Sequence, residues 1–348
     1  MPSNRAVIVP DKSQPVEIRE VPYQSPKTDE IVLASRAVAV NPVDVGVQLM
    51  GPMIFPFLKY PAIIGFDVAG EVIEVGSGVT RFKAGDRVLG YAAGFLEQDN
   101  TRAAFQDYPV LHEALVSPIP STMAYEEAVV LPLALLAAAW GLFQKSFLGL
   151  AYPSAQDNKG TSGETLLIWG GSTSVGCNAI QLAVVAGYEV ITTASPKNFS
   201  LARKLGASQV FDYRSATVVH DIVEAFRGKT SAGAFCIGGT DLPSRKLASD
   251  ACFEIVSRIE GNKFISMAMP VPEDKPDDIE AKFLARDSDQ TFEVGKMIFE
   301  DFLPTALAKG RILPYPEALV VGNGWQSVQN ALDLLRKGVS ATKLVITL

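Results

Sequence analysis

A glycine-rich turn between two apolar segments is the part of this sequence best suited to carry chemistry. Thr165–Trp169 reads as a buried strand, Gly170–Gly176 as a tight turn into a helix, and Glu189–Ala194 as a second strand. Glycines let the backbone turn sharply and approach a pyrophosphate, while the amides and dipole of the new helix stabilise its charge. This order favours a dinucleotide-binding unit over an ordinary βαβ crossover.

The turn departs from the strict glycine pattern, because Ser172 and Thr173 occupy positions where a third glycine could stand. We expect the two outer glycines to meet the pyrophosphate and the residues between them to supply amides and hydroxyls. The predicted phosphate-binding residues are Gly171, Ser172, Thr173, Ser174, Val175 and Gly176.

The end of the second strand bears on the choice of cofactor. Folds that bind NADH carry an acidic residue there, which bonds the ribose 2′-hydroxyl. Here Ser195, Lys197 and Asn198 follow the strand and no carboxylate does. Ser195 and Asn198 could donate to a 2′-phosphate and Lys197 adds charge, which predicts NADPH. Ser195-Pro196 also fits a helix N-cap followed by proline, and both roles can hold together.

Composition excludes several classes of partner and suggests a compartment. The chain has 348 residues, net charge −7 and no long basic run, so we expect neither nucleic acid nor membrane as a partner. The longest apolar stretch, Ala128–Phe143, contains Pro132 and Gly141 and is shorter than a membrane span. The N-terminus has no apolar signal core, and three cysteines favour a reducing compartment, so a cytoplasmic protein is predicted.

The pattern of predicted strands and helices changes near residue 127. Before it, short β-type runs alternate with Pro and Gly, which predicts a mostly antiparallel, barrel-like domain. After it, strands alternate with helices, which predicts a doubly wound sheet. The predicted strands are 165–169, 188–194, 209–212, 233–237, 263–268 and 279–285. The predicted helices between them are 174–186, 198–205, 215–227 and 244–259.

The C-terminal section predicts a return to the first domain. A long helix at 289–309, a strand near 318–321 and a helix at 325–337 precede a β-type final strand, 343–348. Residues 1–126 and 287–348 are therefore expected to form one domain, and residues 127–286 the nucleotide-binding domain.

Three further segments precede the glycine turn in a fixed order. They are Val40-Asn-Pro-Val-Asp44, Tyr60–Val72 (YPAIIGFDVAGEV) and Val79–Val88 (VTRFKAGDRV). Together with the turn they resemble the medium-chain dehydrogenase/reductase superfamily over nearly the whole chain. The resemblance is closest to its zinc-independent branch of quinone-oxidoreductase-like proteins and fungal polyketide trans-acting enoyl reductases. It implies a fold of class α/β, with a GroES-like β-barrel substrate domain, a Rossmann domain and a cleft for the nicotinamide between them.

The same resemblance argues against a metal site. Zinc alcohol dehydrogenases place a cysteine where this chain has Asn41 and a histidine where it has Phe66, and residues 89–110 lack the cysteines of their zinc lobe. Only His112 and His220 exist, and neither has a potential ligand at useful spacing. Because tetrahedral zinc needs three or four converging N or S ligands, we expect no metal.

The resemblance also indicates candidate catalytic and cofactor residues. In relatives the region of Asn41 and Asp44 reaches the nicotinamide end of the cleft, although here both could simply fix a turn. Tyr60 is the remaining phenol that could donate a proton, with a packing role equally open. Tyr213 matches a tyrosine that packs beside the adenosine phosphate, and Ser340 is a further predicted cofactor-binding residue.

Two polar groups expected from the fungal enoyl reductases are missing. Gly46 stands where many of them have a lysine, and Ala137 where they often have a threonine. The site is therefore expected to be more apolar than in these relatives.

The sequence thus predicts an NADPH-dependent, zinc-free reductase of an activated C=C bond, in an enoyl thioester or an α,β-unsaturated ketone. The small-molecule substrate would be free or carried on an acyl carrier protein, as in fungal secondary metabolism, and the protein a monomer or homodimer. The alternatives are a quinone oxidoreductase, or a non-redox catalyst or binding protein that retains the fold and NADPH.

Overall fold

The computed structural model describes residues 3–154, 160–284 and 288–348, and the side chains of residues 288–291 are not described. The last residue of the predicted sixth strand, 285, and the predicted domain boundary at 286/287 lie outside the described residues. The chain divides into two compact units. Unit 1 comprises Met1–Leu133, Phe299–Ala308 and Pro314–Leu348, and unit 2 comprises Ala134–Ile298 and Lys309–Leu313.

Unit 1 is built mainly from antiparallel strands. They are β1 (Asn4–Val9), β2 (Glu17–Val21), β3 (Glu30–Ala39), β4 (Ala62–Ile63), β5 (Asp67–Val75), β6 (Arg87–Tyr91), β7 (Val110–His112), β8 (Val116–Pro118), β15 (Glu317–Asn323) and β16 (Thr342–Thr347).

One sheet of unit 1 has the order β15-β16-β3-β5-β6-β8, with β7 also paired to β3, and another has the order β2-β1-β4. The C-terminal strand β16 pairs antiparallel with β3, so that Val345 lies opposite Ala39. The two ends of the chain therefore contribute to one unit, because an edge of β3 accepts the last strand.

Unit 2 contains the parallel sheet. Its strands in the described part of the chain are β9 (Glu164–Trp169), β10 (Glu189–Ala194), β11 (Gln209–Asp212), β12 (Thr230–Cys236), β13 (Phe264–Met267) and β14 (Glu280–Phe283). They pair in the order β11-β10-β9-β12-β13-β14. Every pair is parallel. Counted from β9, this is the 3-2-1-4-5-6 order of dinucleotide-binding sheets, so the predicted doubly wound α/β fold class is confirmed.

Helices lie between the strands of both units. They are α1 (Pro42–Met50), α2 (Gly94–Glu97), α3 (Tyr125–Ala128), α4 (Pro132–Phe143), α5 (Ser174–Val185), α6 (Phe199–Lys204), α7 (Val218–Ala225), α8 (Leu242–Arg258), α9 (Ser288–Gly295), α10 (Leu303–Ala308) and α11 (Val328–Lys337). A π-helical segment, Lys296–Phe302, joins α9 to α10. Pro42 stands at the first position of α1. Gly338, with φ +91°, follows α11.

Several elements of unit 2 differ from the sequence expectation at their starts by two or three residues: α7 begins at Val218 rather than 215, and α8 at Leu242 rather than 244. Strand β12 begins at Thr230 rather than 233. Its register with β9 shifts at a bulge between Ser231 and Ala234, but Thr230 and Ser231, which precede the bulge, still pair with β9. The helix expected from 198 is preceded by a 3₁₀ turn that begins at Pro196, because the fixed φ of proline suits the first helical position after the N-cap residue Ser195.

One apolar helical stretch of the described chain, Tyr125–Phe143, could cross a membrane by length and composition alone. Within it, 72% of the most apolar window is buried inside the fold, as expected for a helix that packs in a protein core.

Candidate functional site

The turn after β9 can only be built from glycine at three positions. Gly170 has φ +88°, and a Cβ on it would lie 2.5 Å from the Ile237 carbonyl oxygen. A Cβ on Gly171 would lie 2.2 Å from Thr192 Oγ1, and one on Gly176 would lie 2.2 Å from the Gly170 carbonyl oxygen. The close packing of strand, turn and helix therefore leaves no room for a side chain at these three positions. Gly170 was absent from the predicted site, although the Gly-Gly pair signalled it.

Thr173 organises the start of α5. Its hydroxyl accepts a hydrogen bond from the Gly176 amide at 3.0 Å and donates one to the Gly170 carbonyl at 2.8 Å. The amides of Ser174 and Val175 belong to the first turn, where an α-helix supplies no carbonyl partners. The turn thus offers these amides and the positive end of the helix dipole to an anion, while the Gly176 amide is already bonded.

The predicted selectivity residues lie after two neighbouring strands. Ser195 follows β10 and Tyr213 follows β11, and the register pairs Ala194 with Asp212 just before them. Ser195 occupies the N-cap position of the 3₁₀ turn, but its hydroxyl makes no capping bond to the described residues. The structure therefore brings the two side chains to the same edge of the sheet.

A basic residue missed by the sequence reasoning lies at this edge. The Arg214 guanidinium lies over the Tyr213 ring, 5.5 Å from its centroid. It also pairs with Asp212 at 3.1 Å, which lowers the pKa of that carboxyl. The sequence signal that could have identified Arg214 was its position directly after Tyr213. After β10, the neighbouring strand at this edge, Lys197 is exposed and Asn198 is buried.

A buried polar cluster occupies unit 1. It consists of Asn41, Asp44, Asp67 and Lys343, none of which is more than 3% exposed. Asn41 and Asp44 lie at the start of α1, Asp67 begins β5 and Lys343 lies on β16. Burial of three ionisable groups together requires that their charges and hydrogen bonds be mutually satisfied.

Lys343 joins the cluster together. Its ammonium is 2.9 Å from Asp67 Oδ2 and also donates to Asn41 Oδ1. The Asn41 Nδ2 group donates to the same Asp67 oxygen at 2.9 Å and to the Ala39 carbonyl at 3.3 Å. Asp67 Oδ1 accepts from the Leu133 amide at 2.6 Å. Both the oxygen and the nitrogen of the Asn41 side chain are thus hydrogen-bonded, which makes Asn41 a positioning residue.

Asp44 fixes the first turn of α1. Its Oδ2 accepts a hydrogen bond from the backbone amide of Asn41 at 2.7 Å, and its own backbone amide donates to the backbone carbonyl of Asn41 at 3.0 Å. Among the described residues its Oδ1 is buried without a hydrogen-bond partner. Burial, and then the nearby Asp67 carboxylate, raise the pKa of Asp44 to about 7 against the opposing effects of the Asn41 amide and Lys343. The carboxyl is therefore able to hold a proton near neutral pH.

We expect this carboxyl to impose a pH dependence on stability that Asp44→Asn removes. A folded-state pKa of about 7, above the ordinary 3.8, means that the native state holds one more proton between these values. Stability then falls as pH rises, by up to about 1.4 kcal/mol per pH unit. The free energy of unfolding should be measured in urea at pH 5, 6 and 7. The value for the Asp44→Asn variant should rise relative to that of the parent at each step. A constant difference across this range would contradict the assignment.

Tyr60 has a partner within unit 1. Its hydroxyl donates to the Val47 carbonyl of α1 at 2.7 Å, and burial raises the pKa of the phenol. The ring fits only because Gly51 lies beside it, since a Cβ there would be 1.9 Å from the hydroxyl oxygen. Donation of this proton to a substrate would require the bond to Val47 to be exchanged.

The remaining candidates are placed as follows. Ser340 is exposed, and its carbonyl accepts from Thr342 Oγ1 at 3.2 Å just before β16. Within the described ranges, no three His, Cys, Asp or Glu side chains lie together as a metal would require. Cys177 follows the glycine turn, but burial raises the pKa of its thiol to about 12, so it is not a nucleophile.

Comparison with known proteins places these features in a family context. Residues 27–121 match the alcohol dehydrogenase GroES-like domain. Over the full length of both proteins, the chain is 49% identical to the dehydrogenase azaJ of Aspergillus niger. It is 39% identical to the trans-enoyl reductase himH of Aspergillus japonicus, with 91% of this chain and 89% of that protein covered.

Solved structures show the same fold at lower identity. An alcohol dehydrogenase superfamily protein from Novosphingobium aromaticivorans is 22% identical, with a TM-score of 0.78 and 99% of each chain covered. The quinone oxidoreductase from Coxiella burnetii is also 22% identical, with a TM-score of 0.70 and both chains fully covered.

Proposed function

The chain belongs to the medium-chain dehydrogenase/reductase superfamily, and we propose that it is an NADPH-dependent, zinc-free reductase of an activated C=C bond. As a member of this family it is an oxidoreductase that uses a nicotinamide cofactor. The observation that carries the proposal is the glycine turn of Gly170–Gly176, at the carboxyl end of the central strand of a doubly wound sheet.

The residues present suit a dinucleotide. Gly171 and Gly176 allow the start of α5 to pack closely against the turn and the neighbouring strand, and the amides of Ser174 and Val175 would bond a pyrophosphate. Ser172 and Thr173 complete the turn. When bound, the cofactor would supply a hydride for the β-carbon of the substrate, and the α-carbon would take a proton.

Selection of NADPH rests on the edge formed by the ends of β10 and β11. Ser195, Lys197 and Asn198 follow one strand, and Tyr213 with Arg214 follows the other. Hydroxyl, amide and cationic groups at one edge would bind a 2′-phosphate by charge-assisted hydrogen bonds. Ser340 is proposed as a further contact to the cofactor.

Replacing Ser195 with aspartate is expected to reverse much of the preference for NADPH. The parent should bind NADPH at least tenfold more tightly than NADH, since charge-assisted bonds are worth about 1.5–3 kcal/mol. An added carboxylate would repel the 2′-phosphate but can bond a ribose hydroxyl. Fluorescence titration with both cofactors measures the ratio of the two affinities. The comparison variant is Ser195→Ala, which removes the hydroxyl without adding a charge. Equal affinities in the parent would refute the assignment of this edge.

The buried polar cluster would position the start of α1 without a metal. Lys343 and Asn41 hold Asp67 in place, and Asp44 ties the helix to Asn41. Developing negative charge on the substrate must then be stabilised by hydrogen bonds and dipoles. Tyr60 is the phenol that we propose as proton donor; its hydroxyl donates to the Val47 carbonyl at 2.7 Å and would exchange that bond for one to the substrate.

The relatives support the substrate class that we propose. The trans-enoyl reductase himH supports an enoyl thioester, carried on an acyl carrier protein in fungal secondary metabolism, and an α,β-unsaturated ketone fits the same chemistry. A cytoplasmic enzyme is proposed, as either a monomer or a homodimer.

Loss of NADPH absorbance with crotonyl-type thioesters, enones and quinones tests the function. We expect thioesters or enones to be reduced, and a chelator to leave the rate unchanged. Turnover of quinones alone would establish a quinone oxidoreductase instead. Binding of NADPH without oxidation by any of the three would indicate a protein that retains the fold without net reduction.

A further inference from the structure

The buried polar cluster of unit 1 contains one more carboxyl group than ammonium group. Asp44 and Asp67 supply the carboxyls and Lys343 the ammonium, and none of the three is more than 3% exposed. The ammonium pairs with Asp67 at 2.9 Å, so the carboxyl of Asp44 is the one in excess. A charge without a cationic partner is costly in so buried a place, which favours a proton on Asp44.

The hydrogen bonds of Asp44 show which of its oxygens could carry that proton. Oδ2 accepts from the backbone amide of Asn41 at 2.7 Å, whereas Oδ1 is buried and has no partner among the described residues. Gln48, one helical turn further along α1, has the same feature, because its Oε1 is buried and unpartnered over the same described ranges. Two buried acceptor oxygens therefore lack a donor.

The orientation of the Gln48 amide is fixed by its other contacts. Its Nε2 donates to the Gln14 carbonyl at 3.0 Å and to Gln329 Oε1 at 2.9 Å. A carbonyl oxygen can only accept, so the nitrogen of Gln48 must face Gln14 and an exchange of its two amide atoms would not satisfy Oε1. Both of these partners are neutral, and the half-exposed Asp333 is reached only beyond Gln329, whose Nε2 donates to it at 3.1 Å.

Asp44 and Gln48 are placed to share a proton. They lie four residues apart in α1, and residues at this spacing are neighbours on one face of a helix. Helical side chains lean toward the N-terminus, so that of Gln48 extends toward the turn that carries Asp44. A proton on Asp44 Oδ1 would make this oxygen a donor and give Gln48 Oε1 a partner. The same proton would remove the excess negative charge of the cluster.

Charged and polar groups on neighbouring elements act on Asp44 in both directions. Burial, and then the Asp67 carboxylate of β5, raise the pKa of Asp44 to about 7. The backbone amides of Asn41 and Gly65 and the Lys343 ammonium of β16 oppose this rise. Protonation near neutral pH is therefore consistent with the charges that surround the carboxyl as well as with its hydrogen bonds.

We infer that Asp44 is a neutral carboxylic acid in the native protein, that its Oδ1–H donates to Gln48 Oε1, and that Gln48 is thereby a positioning residue for the reduction. The inference rests on the proposed function, in which the buried polar cluster positions the start of α1. Asp44 fixes the first turn of this helix through the Asn41 amide. Loss of its proton would leave a buried charge in that turn opposite a second acceptor oxygen, so we expect the rate to depend on this proton.

Carbon-13 NMR of protein labelled selectively at the aspartate side-chain carboxyl measures the protonation of Asp44 directly. The Asp44 signal is assigned by its disappearance in the Asp44→Asn variant. In the parent it should be that of a neutral carboxyl at pH 5 and titrate with a midpoint near 7. Gln48→Met keeps the length of the side chain but removes the acceptor. It should lower the midpoint by about one pH unit, the size expected for loss of one hydrogen bond.

The matched control is Gln329→Met, because it removes the α11 partner of Gln48 and leaves the Oε1 acceptor in place. It should leave the midpoint unchanged. Gln48→Glu retains an acceptor oxygen and adds a second carboxyl, so its midpoint should be at least that of the parent. An ionised Asp44 at pH 5 in the parent, or equal shifts in the two methionine variants, would overturn the inference.

The pH profile of the reaction tests the positioning role. The rate of NADPH oxidation with an enone or thioester should fall above pH 7 in the parent. The fall should move to lower pH in Gln48→Met, by the same amount as the NMR midpoint, and stay in place in Gln329→Met. A rate that does not follow the titration of Asp44 would overturn the positioning role of Gln48. The expected titration without reduction of any of these substrates would refute the proposed function and leave the neutral Asp44 in place.

Discussion

Replacing Gly176 with valine is expected to abolish NADPH binding at ordinary concentrations, with a loss of affinity of two orders of magnitude or more, or roughly 3 kcal/mol. A Cβ at this position would lie 2.2 Å from the Gly170 carbonyl oxygen and 2.8 Å from the Gly171 Cα. Both contacts are with backbone, which cannot rotate away as a side chain would. Helix α5 must therefore move from the strand, or the added side chain must enter the path of the phosphate.

The control for this variant is Gly160→Val, because a Cβ on Gly160 meets nothing within 4 Å. Circular dichroism and thermal unfolding should be recorded for both proteins, since overpacking at position 176 can also destabilise the sheet. If Gly176→Val folds as the parent does and binds NADPH with the same affinity, the turn does not hold the phosphate.

Removal of the Lys343 ammonium by substitution with methionine is expected to cost about 3–5 kcal/mol of unfolding free energy. The cost arises because Asp67 is completely buried and would lose its cationic partner, leaving only neutral hydrogen-bond donors around it. Methionine retains the apolar length of the lysine side chain, so lost packing contributes little. Urea unfolding followed by circular dichroism measures the effect.

A second variant separates loss of the pair from loss of packing. Adding Asp67→Asn to Lys343→Met removes the unpaired charge and keeps an oxygen to accept from the Leu133 amide. Part of the lost stability should return. Lys337→Met is the control, since Lys337 is exposed near the end of α11. If Lys343→Met is no more destabilising than Lys337→Met, the buried pair does not hold unit 1 together.

Local patterns account for the parts of the fold that the sequence predicted well. In unit 2 the strand after the glycine turn, Glu189–Ala194, was predicted within one residue, because a run of β-branched residues bounded by glycine and proline marks a buried parallel strand. Helix α5 was predicted from the same turn, since its first residues follow a threonine cap. These features depend on neighbours in the chain.

The buried polar cluster is different in kind. Asn41 and Asp44 were predicted as catalytic candidates from a short motif, but Lys343 is about 300 residues away and was not connected to them. Only the antiparallel pairing of β16 with β3 brings the lysine beside Asn41. Its burial then makes the ion pair with Asp67 obligatory, and burial likewise raises the pKa of Asp44.

The sequence by itself determined the glycine turn and the order of elements around it, because steric limits on glycine and hydrophobic periodicity act over a few residues. Tertiary structure alone decided which polar groups share a buried space, and which apolar ones stay exposed. Met53 and Phe95 are both ordinary apolar residues in the sequence, yet Met53 is 74% exposed and Phe95 is buried against the ring of Phe55. Burial and charge pairing depend on distance in space, which is fixed only when distant strands and loops pack together.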